Sequence, residues 1–84
     1  MKSEIERRLC QRILDRRKEL GMSRQVLADL LKINYETIRQ WETQANVPRL
    51  YRIYDLAFAL QTNIEWLLLG QQTTNTKYRV KSKG

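Results

Sequence analysis

The 84-residue sequence contains no histidine, one cysteine, one proline, three glycines and one phenylalanine. Without histidine and with only Cys10 there is no Ser-His-Asp triad, no Cys-His dyad and no zinc site of the His/Cys kind within the chain. Most enzymology goes with them, and neither a cofactor nor a metal is expected. A lone cysteine closes no internal disulfide, and Met1-Lys2-Ser3-Glu4 lacks the apolar run of a signal peptide, so the expected compartment is the reducing cytoplasm. No apolar stretch approaches the roughly 20 residues of a membrane span, so no membrane association is expected.

What remains is a small, basic, half-apolar chain. Its length suits one domain, since a chain of this size hides roughly 60% of the surface its unfolded form exposes. Hydrophobic residues make up 42% and charged residues 30%, too apolar for a disordered chain throughout. Sixteen Lys and Arg against nine Asp and Glu leave +7. An excess of that size on so small a body favours a polyanionic partner, nucleic acid before an anionic membrane surface.

Apolar residues recur at helical spacing. Ile5, Leu9, Ile13, Leu14 and Leu20 predict a first helix between Ser3 and Leu20, opened by a capping box of Ser3 with Glu6 and closed by Gly21. Ser23 caps a second helix that ends near Lys32, with Leu27, Leu30 and Leu31 facing inward and Val26 beside them. Asn34 caps a third over Tyr35 to Glu42, where Ile38 and Trp41 share a face. The period fails from Thr43 to Pro48, and Pro48 is expected to start a fourth helix buried through Leu50, Ile53, Leu56, Ala57 and Leu60. Asn63 caps a last turn or two, Ile64 to Leu69, stopped by Gly70. These elements define a domain over 1–70. Residues 71–84 carry Lys77, Arg79, Lys81 and Lys83 with no acidic residue, a basic tail in which 77–81 alternates polar and apolar as a short strand does.

Helix two, a turn of about three residues and helix three describe a helix-turn-helix. Arg17-Arg-Lys-Glu-Leu-Gly-Met-Ser23, Leu27-Ala28, Ile38, Trp41-Glu42, Pro48, Leu56-Ala57, Leu60 and Glu65-Trp-Leu-Leu68 before Gly70 carry a resemblance. Residues 17–70 resemble the phage-repressor and Cro-like (XRE-type) helix-turn-helix domains. The resemblance implies an all-α, five-helix lambda-repressor-like bundle that lays helix three in the major groove and binds operator DNA as a homodimer.

A reading helix needs polar side chains that donate and accept at base edges, and Tyr35, Glu36, Thr37 and Gln40 have that chemistry. Gln40 can pair with adenine in two places, Glu36 can accept from cytosine N4, and Thr37 can bond or touch a thymine methyl. The resemblance further implies phosphate contacts from Ser23, Arg24, Arg39, Thr43, Gln44 and Arg49, and a structural ion pair between Arg17 and Glu42. Arg24 departs from the usual Gln that braces a base-reading partner, and Lys32 and Gln44 stand where glycines are usual. The family's pairing surface is the helix-five region, here Ile64, Trp66 and Leu67, with the 77–81 strand as rival. Trp41 and Trp66 read as core, Cys10 as a small buried hydrophobe, and Arg7, Arg8 and Arg12 as a solvated face.

Two functions fit. The first is a sequence-specific, repressor-like regulator on double-stranded DNA. The second is an antitoxin-like module of the same fold that binds a toxin partner, using the basic tail or the Tyr51, Tyr54 and Phe58 face.

Overall fold

The computed structural model describes residues 2–70. The basic tail 71–84 and the strand expected at 77–81 lie outside the described residues. Within them the chain forms α1 (Glu4–Glu19), α2 (Arg24–Leu31), α3 (Tyr35–Glu42), α4 (Leu50–Ala59) and α5 (Ile64–Leu69), with no strand.

Local chemistry sets most of the boundaries. Glu6 N–H donates to Ser3 Oγ at 3.2 Å while Ser3 N–H donates to Glu6 Oε1 at 3.0 Å, so two orphan amides at the start of α1 are each satisfied by the other residue's side chain. Glu4 and Glu6 at its start and Arg16, Arg17 and Lys18 at its end complement the helix dipole. Gly21, at φ +69°, then lets the Gly21 and Met22 amides fold back onto the carbonyls of Lys18 and Arg17. Ser23, Asn34 and Asn63 accept from the amides of Val26, Thr37 and Trp66, capping α2, α3 and α5. Pro48 does not open α4. Arg49 is extended at φ −73° and ψ 161° and serves as its N-cap, so Pro48 is a buried stop in the preceding loop.

Every helix sends apolar side chains into one core. Leu9 and Ile13 come from α1, Leu27 and Leu31 from α2, Ile38 and Trp41 from α3, Ile53 and Leu56 from α4 with Leu60 at its C-cap, and Leu67 from α5. α1 packs on α3 and α5, α2 on α3 and α4, and α4 on α5. Several residues expected inside are outside: Ile5 is 55% exposed, Leu30 55% and Leu50 62%, and Val26 stands beside Leu30 in the open. The α2 stripe is Leu27, Ala28 and Leu31. Val26 and Leu30, four apart, form the adjacent row, about 100° round the helix from the buried stripe. Ile5 and Leu50 lie in the first turns of α1 and α4.

Arg12 is not part of a solvated face. Its Nη1 donates to the Leu67 carbonyl at 2.9 Å, and Arg16 one turn on donates through Nε to Leu60 O at 2.8 Å and through Nη2 to Gln61 O at 3.0 Å. Two guanidinium groups of α1 thus bond carbonyls near the ends of α4 and α5. Arg7 and Arg8 do stay outside, both paired with Glu4.

Leu27→Ala is expected to cost about 2–5 kcal/mol, whereas Leu30→Ala should stay within about 0.5 kcal/mol. Denaturant midpoints measure both, and equal losses would mean that α2 turns a different face to the core.

Candidate nucleic-acid interface

α3 buries Ile38, Trp41 and Glu42. At 100° per residue, Glu36, Gln40 and Thr43 therefore line the opposite side as one row, with Arg39 and Thr37 flanking it. Tyr35, 42% exposed, lies towards α2. Five of the expected reading and rim residues, Glu36, Thr37, Arg39, Gln40 and Thr43, fall on or beside one strip of helix. The α2 start, with Ser23 and Arg24, and Arg49 at the start of α4 belong to the neighbouring elements.

Glu42 fixes how α2 and α3 meet. Its side chain is fully buried, and Arg17 grips it bidentately, Nε to Oε2 at 2.5 Å and Nη2 to Oε1 at 2.9 Å. Arg17 Nη1 also donates to the Met22 carbonyl at 2.8 Å, on the turn that leads into α2. Arg24 adds a second guanidinium: its Nε donates to Glu42 Oε1 at 2.8 Å and its Nη1 to the Tyr35 hydroxyl at 3.4 Å. Hydrogen bonding to Glu42, with a smaller contribution from Tyr35, raises the Arg24 pKa above its ordinary value. Arg24 thereby braces a residue at the start of α3 even though it stands where a Gln is usual.

The exposed row is also tied together. Arg39 Nε donates to Glu36 Oε1 at 2.9 Å and its Nη2 takes the other carboxylate oxygen. Arg39 is the main reason the Glu36 pKa lies below the ordinary carboxylate value, and a hydrogen bond from Gln40 acts in the same direction. Gln40 Oε1 accepts from Asn46 Nδ2 at 2.9 Å. Thr43 turns its hydroxyl proton back to the Arg39 carbonyl at 2.9 Å, and Gln44 ends α3 in a left-handed conformation at φ +67°. Lys32 is likewise left-handed, at φ +59°, so both positions pay the strain that glycine would avoid.

Two residues of this face were not singled out from sequence. Arg52 lies three residues after Arg49, with its guanidinium 5.2 Å from the centre of the Tyr51 ring and 3.9 Å from Asp55. With Thr37, Gln40 and Arg49 it lines a shallow cavity of about 530 Å³. The i, i+3 spacing of Arg49 and Arg52 was the available signal. The other is Asn46, a loop residue with no signal beyond its type. Arg24, Arg39, Arg49 and Arg52 surround the α3 row with guanidinium groups, which hold phosphate oxygens bidentately.

The pairing surface expected on α5 is partly corrected. Leu67 is 0% exposed and belongs to the core on a helix that packs against α1, and a core residue cannot meet a second subunit. Ile64 and Trp66 are half-buried against the same core. Exposed apolar surface is instead concentrated on α4, at Leu50, Tyr51, Tyr54 and Phe58, the last 88% exposed. Among the described residues no helix is long and apolar enough to cross a membrane.

Residues 13–67 match the helix-turn-helix family model. The chain is 34% identical over 62 residues to the HTH-type transcriptional regulator DicA of Escherichia coli K12, covering 74% of this chain. It spans about half of that relative's length, 46%. Among solved structures it is similar to the P22 c2 repressor protein in complex with a synthetic operator. There the identity is 30% and the TM-score 0.70, over 75% of this chain and 96% of that one.

Arg17→Ala is expected to cost on the order of 3 kcal/mol, because it leaves a buried carboxylate with only the more exposed Arg24. Arg8→Ala, on an exposed pair, should cost about 0.5 kcal/mol or less. Denaturation midpoints compare them, and indistinguishable values would show that the Glu42 contact does not hold the helices together.

Proposed function

The chain belongs to the phage-repressor and Cro-like helix-turn-helix family, and from that membership we propose that it is a sequence-specific DNA-binding transcriptional regulator, repressor-like, acting in the cytoplasm. α3 lies in the major groove of each operator half-site. Glu36, Thr37 and Gln40, with Tyr35 at the helix start, face base edges. Ser23, Arg24, Arg39, Thr43, Gln44 and Arg49 meet the phosphates beside them, with Arg52 extending that rim. The observation that carries this reading is the polar row of Glu36, Gln40 and Thr43 set among arginines, on a fold whose similar solved structure is a repressor on operator DNA.

The protein acts as a homodimer on inverted half-sites, since one short helix contacts too few base pairs to be selective. Ile64 and Trp66 remain the proposed pairing residues of α5, without Leu67. Regulation is by occupancy of the operator, and no catalytic step is proposed. The alternative of a toxin-binding module draws no support from the family match or from either similar protein.

Selection from random duplexes is expected to return an inverted repeat with half-site centres about 10 base pairs apart. Gln40→Ala should relax one position of each half-site, costing about 1–3 kcal/mol on the best site and little on random DNA. Arg49→Ala should weaken both kinds of binding and flatten the salt dependence by about one unit. An unchanged selected sequence for Gln40→Ala would show that α3 does not read bases.

A further inference from the structure

Gln40 stands at the centre of the exposed row, and one end of its amide is already occupied. Asn46 Nδ2 donates to Gln40 Oε1 at 2.9 Å. The loop that carries Asn46 is fixed from two sides. The Ala45 and Asn46 amides both donate to the Gln40 backbone carbonyl, at 2.8 and 3.2 Å, and the buried Cys10 thiol lies 3.7 Å from the Asn46 carbonyl. Asn46 therefore cannot drift away from α3 without breaking backbone hydrogen bonds. A primary amide carries its acceptor and its donors on opposite arms of one plane, so an oxygen turned to the loop leaves the NH₂ on the other arm, towards Glu36 and the open groove.

That orientation matters for what Gln40 can read. Two-point pairing with adenine needs both arms of the amide presented side by side, the oxygen to N6–H and the nitrogen to N7. With Oε1 turned to Asn46 and the NH₂ arm shared with Glu36, Gln40 presents donors outward rather than its oxygen. An edge with acceptors alone answers them best, and guanine, with N7 and O6, is that edge.

We propose that Asn46 is a specificity-determining residue that never touches a base: it sets the orientation of the Gln40 amide and turns Gln40 from an adenine reader into a donor that selects guanine. The proposal rests on α3 being the reading helix. Asn46 meets Gln40 through its NH₂, and a carboxylate in its place can only accept, so the exchange reverses the amide. In Asn46→Asp the carboxylate takes the Gln40 NH₂, and Oε1 faces the groove, where it accepts from cytosine N4. In Asn46→Ala the oxygen arm is released while Glu36 keeps its hydrogen bond from the NH₂, and the two-point adenine contact becomes available.

The test uses the full chain and random duplexes, with Gln40→Ala marking which base pair Gln40 reads. At that base pair the wild type should select guanine, Asn46→Ala should shift the preference to adenine by about tenfold, and Asn46→Asp should shift it to cytosine by a similar factor. A loop variant that only loosened the fold would lower the melting temperature and leave the selected base alone, so melting curves are recorded for both. In the free protein, the side-chain NH₂ resonances of Gln40 should move in Asn46→Asp, a readout that needs no DNA. If the wild type selects a sequence and both variants select the same one, the role of Asn46 is refuted while the reading helix stands. If the wild type selects no sequence at all, the DNA-reading function falls, and this role with it.

Discussion

A carboxylate buried at the carboxyl end of a helix is doubly disfavoured, by lost hydration and by the negative end of the helix dipole. Glu42 is in that position, and the bundle accommodates it only because Arg17 from α1 and Arg24 from α2 converge on its two oxygens. The arrangement therefore cannot form until three helices are in place together. Once formed, it allows one geometry of α2 against α3, since a planar guanidinium bonded through two nitrogens tolerates little rotation. An apolar residue of the same size would fill the space without specifying the crossing. The angle between those two helices is what presents the α3 row as a single edge, so a buried ion cluster on the inner side of α3 governs the geometry of its outer side.

The rest of the structure shows the same use of arginine at places where backbone would otherwise be stranded. Arg12 and Arg16 reach from α1 to carbonyls at the ends of α5 and α4. Three non-glycine residues, Lys32, Gln44 and Gln61, take left-handed conformations just past the ends of α2, α3 and α4. Such a residue costs on the order of 1–2 kcal/mol relative to a relaxed backbone. Arg16 Nη2 on the Gln61 carbonyl and the Ile33 amide on the Ala28 carbonyl are bonds that hold two of these turns closed. Tertiary contact here overrides the local preference for glycine.

What could be read from the sequence follows that division between local and tertiary causes. The caps at Ser3, Ser23, Asn34 and Asn63, and the stops at Gly21 and Gly70, act within three or four residues, and all six were legible. The core faces of α3 and α5 were unequally so. Ile38 and Trp41 have polar neighbours and declare their side, but Leu67 sits in a run of three leucines where periodicity cannot choose the buried one. Val26, Leu30 and Leu50 were misplaced for the same reason: apolar character marks a residue as fit for burial, and only the partner helix decides whether it is buried. The site was legible as a row of residue types on α3. The reach of Arg24 to Glu42 and Tyr35, the position of Arg52 and the bond from Asn46 to Gln40 were not, because each joins separate elements whose relation is fixed by the whole fold.

A reading surface whose side chains are already bonded to one another behaves differently from a set of free polar groups. Free Glu, Gln and Arg side chains on α3 would each adapt to several bases, and ordering them on binding would cost rotamer entropy of about 0.5–1.5 kcal/mol apiece. Here Arg39 already holds Glu36, and Asn46 already holds Gln40, so much of that ordering precedes contact with DNA. The same bonds narrow the choice of partner, because a group whose acceptor is occupied meets a mismatched base with an unanswered donor. Leaving a buried donor without a partner costs more than an ordinary hydrogen bond contributes, so discrimination comes chiefly from the bases that are rejected. Neighbouring residues that never meet a base then belong to the recognition code as fully as those that do.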